Sequence, residues 1–98
     1  MKIWYDEEYI FAITVISVKP DGRPENCRNG HEVGDTYTCE YECPSGLCSK
    51  SMVKAFPLME AVRSGGDLSN LLAGASKHNG NFICPEGVVI FSLTATKK

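Results

Sequence analysis

The sequence predicts one small α+β domain with a sheet of about four strands, antiparallel or mixed, and helices on one face. Three observations support this fold class. The 98 residues are the length of a single domain, and 43% of them are apolar, as in ordinary globular proteins. The periodic segments follow the order β-β-α-α-β-β, which favours a sheet with segregated helices. We therefore expect residues 1–98 to form one domain, with residues 1–8 as an N-terminal lead-in.

The first strand is predicted over Tyr9 to Lys19, a segment rich in Ile, Val, Phe and Thr. Apolar side chains at almost every position are typical of a strand near the middle of a sheet or beneath a second covering layer. Pro20 ends the strand, because proline has no N–H to donate to a ladder. The acidic residues before the strand and its length, well short of about 20 residues, argue against a signal peptide or a membrane span.

The second strand is predicted over Thr36 to Cys43, where the pattern alternates. One face of this strand carries Tyr37, Cys39, Tyr41 and Cys43. Pro44 suits the first position of a helix that runs to about Arg63, and Pro57 is expected to kink or split it. The apolar stripe of this helix consists of Leu47, Val53, Ala55, Phe56, Leu58, Met59 and Val62.

The C-terminal third is predicted to hold a second short helix and a hairpin. Gly65-Gly66 ends the first helix, and Asp67 can cap a second one that carries Leu68, Leu71 and Leu72. Residues 78–81 have the composition of a loop. Phe82–Cys84 and Val88–Ala95 are predicted strands, joined by a tight turn at Pro85-Glu86-Gly87.

Charge and cysteine content restrict the function. A formal charge of −2 without any run of like charges gives no reason to expect a nucleic acid or an anionic membrane as partner. The chain has five cysteines, an odd number, and no secretion signal. Free thiols or a metal site are therefore expected rather than a disulfide framework. We expect a cytoplasmic protein.

Four residues are predicted to form a Cys3His metal site: Cys27, His31, Cys43 and Cys84. Each lies in a loop or at the end of an element, where ligands can converge without breaking a ladder. Four such ligands suffice for a closed tetrahedral zinc site, and a cysteine followed by proline also ends iron–sulfur ligand runs. The predicted cofactor is therefore zinc or an iron–sulfur cluster, in an accessory or structural protein.

Two other functions remain open. Cys43 lies before the predicted helix N-terminus, which favours a thiolate, so the chain can instead be a metal-free thiol protein that uses Cys43 with His31 or a neighbouring cysteine. It can also be a plain interaction domain with buried free cysteines. No motif of a known catalytic class is present, so the sequence does not decide whether the protein is an enzyme.

Single residues also carry alternatives. His31 is either a ligand or a loop histidine bonded to the backbone. Cys39 is expected to pack in the core, Cys48 to pack or to serve as a spare ligand, and His78 to be an exposed loop residue. Trp4-Tyr5 is either a homodimer contact or a covering flap, and an unknown protein partner is compatible with the sequence.

Several motifs together resemble a family of small uncharacterised prokaryotic proteins, many of them from anaerobes. The motifs are Gly30-His31-Glu32-Val33-Gly34-Asp35, Cys43-Pro44, Gly65-Gly66, and Cys84-Pro85-Glu86-Gly87 with the strand after it. The family pattern is Cys-x3-His-x2-Gly-Asp, then Cys-Pro, Gly-Gly and Cys-Pro-Asp-Gly, and the resemblance covers about Phe11 to Leu93. It implies Cys27, His31, Cys43 and Cys84 as the site and leaves Cys39 and Cys48 as extras. The chain departs from it at Glu86, where the family often has Asp, and in the longer segment from Asp67 to Asn81. The resemblance implies no activity.

Overall fold

A computed structural model describes residues 7–98, so Trp4-Tyr5 lies outside the described residues. The strands are β1 (Tyr9–Val18), β2 (Thr36–Cys39), β3 (Asn79–Ile83) and β4 (Val89–Lys97). They form an antiparallel sheet in the order β2-β1-β4-β3. One helix, α1 (Ser49–Arg63), packs on one face of this sheet. The predicted α+β class with a small antiparallel sheet is confirmed.

The core lies between the sheet and α1. Alternate side chains of the two central strands point toward the helix, as the two-residue period of a strand requires. The strand residues that are almost completely buried are Phe11, Ile13, Val15, Val18, Val89, Phe91 and Leu93. The helix contributes Ala55, Leu58, Met59 and Val62, which follow the i, i+3, i+4, i+7 pattern and therefore share one face.

The opposite face of the sheet, called the open face below, has no described helix packed against it. It consists of Ile10, Ala12, Thr14 and Ser17 of β1, Thr36 and Thr38 of β2, Asn79, Asn81 and Ile83 of β3, and Ile90, Ser92, Thr94 and Thr96 of β4. Ile10 is 40% exposed. Ile16, which lies at a bulge in the β1–β4 pairing, is 42% exposed. The predicted central position of β1 is therefore confirmed, while a second covering layer is absent from residues 7–98.

The junction between β2 and α1 differs from the prediction. β2 ends at Cys39, so Tyr41 and Cys43 lie beyond the strand and are exposed. The helix begins at Ser49 with Cys48 as its N-cap, not at Pro44. Gly46 gives the physical reason, because its φ of 89° is incompatible with a right-handed helix. The segment before Cys48 is a turn instead.

Helix α1 continues through Pro57 as one element, so the predicted split is wrong. Proline at this position removes the donor to the carbonyl of Val53. The Val53 side chain is 69% exposed, so this turn of the helix faces solvent, where water can replace the missing donor. Val53 and Phe56 were predicted in the buried stripe, but both lie on the outer side of α1.

The second helix, which follows α1, is also shorter than predicted. The second helix is a single 3-10 turn, Leu68–Asn70, although the predicted cap is present, since the Asp67 carboxylate accepts from the Ser69 N–H at 2.9 Å. Residues 79–81 belong to β3 rather than to a loop. The Asn79 side chain donates to Thr94 Oγ1 at 2.7 Å and to the Leu93 carbonyl at 3.3 Å, and these bonds attach the start of β3 to β4.

The predicted tight turn between the last two strands is confirmed. The Gly87 N–H donates to the Cys84 carbonyl at 2.8 Å. Within residues 7–98, no helix is long and apolar enough to cross a membrane.

Candidate functional site

A small cavity lies where the first turn of α1 meets two loops on the helix side of the sheet. Its walls are formed by Asn26, Cys27, Arg28, Asn29, His31, Cys48, Lys50, Ser51, Cys84, Pro85, Glu86, Val88 and Val89. The space open to the centre of a water molecule is about 20 Å³. One water needs roughly 10–15 Å³ by this measure, whereas sites for organic ligands enclose several hundred. The cavity therefore has room for about one water molecule or one ion.

The cavity brings together three of the four predicted site residues. Cys27, His31 and Cys84 all line it, but Cys43 lies on the exposed segment before α1 and does not. Cys48 is the third cysteine of the cavity wall. The helix N-terminus, which the sequence places at Cys43, lies at Cys48. Cys48 rather than Cys43 is thus the cysteine that shares the cavity with the other two.

His31 is almost fully buried, at 2% exposure, and both of its ring nitrogens have partners. The backbone N–H of Cys48 donates to Nε2 at 3.2 Å. A backbone N–H can only donate, so Nε2 carries no proton and the ring proton lies on Nδ1. Nδ1 donates to the Tyr37 hydroxyl at 2.8 Å. Of the two predicted roles of His31, metal ligand or loop histidine bonded to the backbone, the structure shows the second. Its Nε2 atom accepts the hydrogen bond from the backbone of Cys48.

A hydrogen-bonded chain holds this tautomer. The Tyr37 hydroxyl donates in turn to Asp35 Oδ2 at 3.5 Å. Burial lowers the pKa of His31 although the nearby Asp35 carboxylate acts in the opposite direction. Burial also raises the pKa of Tyr37, and the Asp35 charge adds to this effect. A neutral imidazole and a protonated phenol result, and both fit the observed donors and acceptors.

The sulfur of Cys84 lies inside a turn whose N–H groups surround it. The thiol is 9% exposed, and the Val89 N–H donates to Sγ at 3.3 Å. Burial alone raises the pKa of Cys84, but backbone N–H groups of Val89, Val88, Glu86 and Gly87 outweigh it, so the pKa is lowered. Gly87, with φ of 77°, allows the chain to fold back around the sulfur. This turn favours the thiolate, the form that binds metals and reacts with electrophiles.

Three charged side chains form the rim of the cavity. Glu86 lies 3.3 Å from Arg28 and 3.5 Å from Lys50, measured between the carboxylate oxygens and the nearest side-chain nitrogens. These residues belong to the segments that carry Cys27, Cys48 and Cys84. All three are substantially exposed, so each pair contributes little to stability. The rim nevertheless links all three cysteine-bearing segments.

The donor atoms are not gathered around a single point. Among residues 7–98, no three Cys, His, Asp or Glu side chains lie close enough together to hold a metal ion. An ion in the cavity therefore requires the thiols to turn about their side-chain torsions, and His31 Nε2 to exchange both the Cys48 N–H and the Asn29 side-chain amide, which lies 3.3 Å away, for the ion. Such rotations between staggered side-chain conformations need no change in the backbone.

The remaining predicted residues lie elsewhere. Cys39 is 4% exposed, and burial is the main cause that raises its pKa to about 11, so its predicted core position is confirmed. His78 lies in the loop before β3, as predicted, but it is half-buried rather than exposed, and its ring forms an edge-to-face pair with Tyr9 at 5.2 Å between centroids. All five cysteines are free thiols.

Cys48 is the residue of the site that the sequence interpretation did not select. The signal that identifies it is Gly46, since a glycine in the left-handed region ends any helix that starts at Pro44 and moves the N-cap to Cys48. No protein-family model, curated protein or solved structure matches the chain. The resemblance to the prokaryotic family therefore stays a prediction.

Proposed function

We propose that this chain is a metal-binding accessory protein that holds one zinc or iron ion in the cavity. The proposed ligands are the thiolates of Cys27, Cys48 and Cys84 and the Nε2 atom of His31. The observation that supports this proposal is that these four side chains line one cavity with room for a single ion. That size favours a mononuclear ion over an iron–sulfur cluster.

The donor chemistry supports the same proposal. Three sulfurs and one imidazole nitrogen form a common ligand set for structural zinc, and imidazole also suits iron. A histidine ligand usually donates its second ring N–H to a partner that fixes the tautomer. Tyr37 and Asp35 provide that partner on the Nδ1 side, which leaves Nε2 as the acceptor. With four protein ligands the site is closed, so its role is structural rather than catalytic.

We also propose that the protein acts in the cytoplasm and does not bind nucleic acid. Five free thiols agree with a reducing compartment. The charge of −2 provides no basic surface for a phosphate backbone.

The experiment is elemental analysis of untagged protein purified without oxygen, together with two matched serine variants. We expect about one ion per chain in the wild type, retention of the ion in Cys43→Ser and its loss in Cys48→Ser. Cobalt substitution gives a second measurement, because thiolate ligands produce an intense charge-transfer absorption that Cys48→Ser should weaken. Circular dichroism of both variants controls for folding.

Three outcomes contradict this proposal. Loss of the ion in Cys43→Ser with retention in Cys48→Ser supports the ligands predicted from the sequence. A wild-type protein that takes up neither zinc nor iron on reconstitution rules out a metal function. Iron with sulfide, accompanied by visible absorption, indicates a cluster instead of a single ion.

The N–H groups around Cys84 favour a second candidate, a metal-free protein with a reactive thiolate. In this candidate the reactive thiolate is Cys84 rather than Cys43, because Cys43 does not line the cavity with His31, whereas the sulfur of Cys84 accepts the Val89 N–H. Alkylation mapped by mass spectrometry separates the two functions. A metal ligand is protected until chelator is added, whereas a metal-free reactive Cys84 is modified at the same rate with and without chelator.

A further inference from the structure

We infer that the open face of the sheet is a docking surface for a second copy of this chain. Helix α1 covers one side of the sheet, while the other side presents side chains from all four strands. This inference does not depend on the proposed metal site, which lies on the helix side.

The strand residues of the open face carry no charge, although 22% of the chain consists of charged residues. Charge lies only at one end of the face, where Glu40 and Lys98, the residues that follow β2 and β4, pair at 2.6 Å. Within the four strands, Lys97 is the single charged residue, and it pairs with Tyr9 on the helix side of the strand alternation. Strands that face water on one side usually alternate apolar with polar residues, charged ones among them. Depletion of charged residues is instead what distinguishes the cores of protein interfaces from other surfaces.

The uncharged side chains are a mixture of isoleucine with small hydroxyl residues. All five threonines of the chain lie on the open face, and two of them, Thr14 and Thr36, bond to each other across the β1–β2 pair at 3.2 Å. Ile10 is exposed, and Ile90 is half-buried. A threonine presents both a methyl group and a hydroxyl, so this face can bury apolar area while its hydroxyl groups keep hydrogen-bond partners.

The lack of charge favours a second copy over a different protein. In a two-fold dimer the same patch meets itself, so a charged residue near the axis would face its own copy. An uncharged face avoids that repulsion. It also offers an acidic or basic partner no complementary charge, whereas the outer side of α1 carries Lys54 and the rim of the cavity carries three charged side chains.

The size of the face predicts the strength of the dimer. Strands about 4.8 Å apart with about 3.4 Å per residue give the open face a flat area of about 450 Å². Two such faces together approach, without exceeding, the roughly 1,200 Å² of the smallest stable interfaces. The expected assembly is a weak, concentration-dependent dimer in which the two sheets stack about 10 Å apart.

The experiment is sedimentation velocity from about 10 μM to about 1 mM, on the wild type and on two lysine variants. Thr14→Lys places a charge at the centre of the open face, and Val53→Lys places the same charge on the outer side of α1. We expect the wild type and Val53→Lys to dimerise with rising concentration and Thr14→Lys to remain monomeric. Thermal unfolding shows whether both variants are folded.

A second measurement needs no variant. Amide NMR shifts of the wild type should change with concentration at open-face residues such as Ala12, Thr14 and Ser92 and remain constant along α1. A wild type that is monomeric throughout the concentration range overturns the inference. A dimer that is lost in Val53→Lys and retained in Thr14→Lys overturns it as well, because the interface then lies on the helix.

Discussion

The thiol of Cys39 is buried between the sheet and α1 and makes no contribution to the candidate site. Burial raises its pKa to about 11, with the charge of Glu42 as a further cause. In the unfolded chain the same thiol ionises near its ordinary value of 9.0. Between these two values the folded state binds more protons than the unfolded state, so the free energy of unfolding decreases as the pH rises.

This difference predicts a pH dependence of stability. The contribution of Cys39 is fully present below its ordinary pKa of 9.0 and is lost as the pH rises toward about 11. We expect Cys39→Ala to cost about 1 kcal/mol near neutral pH and progressively less above pH 9. Urea unfolding at a series of pH values measures this. Cys43→Ser, an exposed substitution, serves as the control, and a constant cost of Cys39→Ala across the series contradicts the prediction.

Tyr37 is predicted to hold His31 in the tautomer described above. Tyr37→Phe removes the acceptor of the Nδ1 proton and leaves that buried N–H without its partner, at a cost of about 1–3 kcal/mol. If His31 binds the ion, affinity should fall about 10–100-fold. Nitrogen NMR of the imidazole identifies the protonated ring nitrogen in the metal-free protein. Tyr9→Phe is the matched control, and an unchanged tautomer with unchanged stability in Tyr37→Phe contradicts this role.

At this scale the sequence specifies part of the candidate site. Turn chemistry correctly places Cys27 and His31 in a loop, whereas Cys84, predicted as the last residue of a strand, lies one residue beyond β3. The choice between Cys43 and Cys48 depends on where a helix begins, which is the least reliable feature of a sequence pattern. The bond from the Cys48 N–H to His31 connects residues 17 positions apart, and no local pattern encodes such a contact.

Arg63 connects three elements at the C-terminal end of α1. Its guanidinium donates to Glu7 at 3.0 Å, to Glu60 at 2.6 Å and to the Glu40 carbonyl at 2.6 Å. The same group lies 4.8 Å from the ring centre of Phe11 and 4.7 Å from that of Tyr41. The carbonyl of Glu40, the residue directly after β2, is therefore bonded to α1. This bond accompanies the end of the strand at Cys39, four residues before its alternating sequence predicts.

Because the guanidinium group of Arg63 is planar and donates in several directions, we predict that lysine cannot replace it. A lysine ammonium is a point charge that cannot bond in these three directions and stack between two rings at once. We expect Arg63→Lys to lower the free energy of unfolding by about 1–3 kcal/mol. Chemical denaturation measures this, with Arg23→Lys as control, since Arg23 pairs with Asp21 at an exposed position. Equal effects of the two substitutions contradict a structural role for Arg63.

For the whole molecule, alternation and turn residues are sufficient to predict the antiparallel hairpin of β3 and β4 and the α+β class. They do not predict that β1 lies between β2 and β4, because that order depends on contacts between distant segments. The exposed Ile10 and Ile16 show a second limit of prediction from the sequence. A strand that is apolar at almost every position can be covered on both faces by its own domain, or on one face by its own domain and on the other by another chain. The sequence pattern of the strand is the same in both cases.

Removal of the ion gives a prediction at this scale. A ligand that binds only the native state stabilises it by mass action, so the proposed ion should raise the unfolding temperature. We expect a chelator to lower that temperature in the wild type and in Cys43→Ser but to have no effect in Cys48→Ser. Differential scanning calorimetry with and without chelator measures this. A wild-type unfolding temperature that is insensitive to chelator contradicts a bound structural ion.

The cavity is assembled from segments that are far apart in the chain, as the Arg28–Glu86 pair across its rim shows with a separation of 58 positions. A nascent chain on the ribosome has Cys27, His31 and Cys48 long before Cys84 and its surrounding turn are synthesised. The complete ligand set therefore exists only after the last hairpin has been added. If the proposed function is correct, metal loading has to wait until this hairpin has been synthesised, and an occupied site marks a chain in which the hairpin has formed.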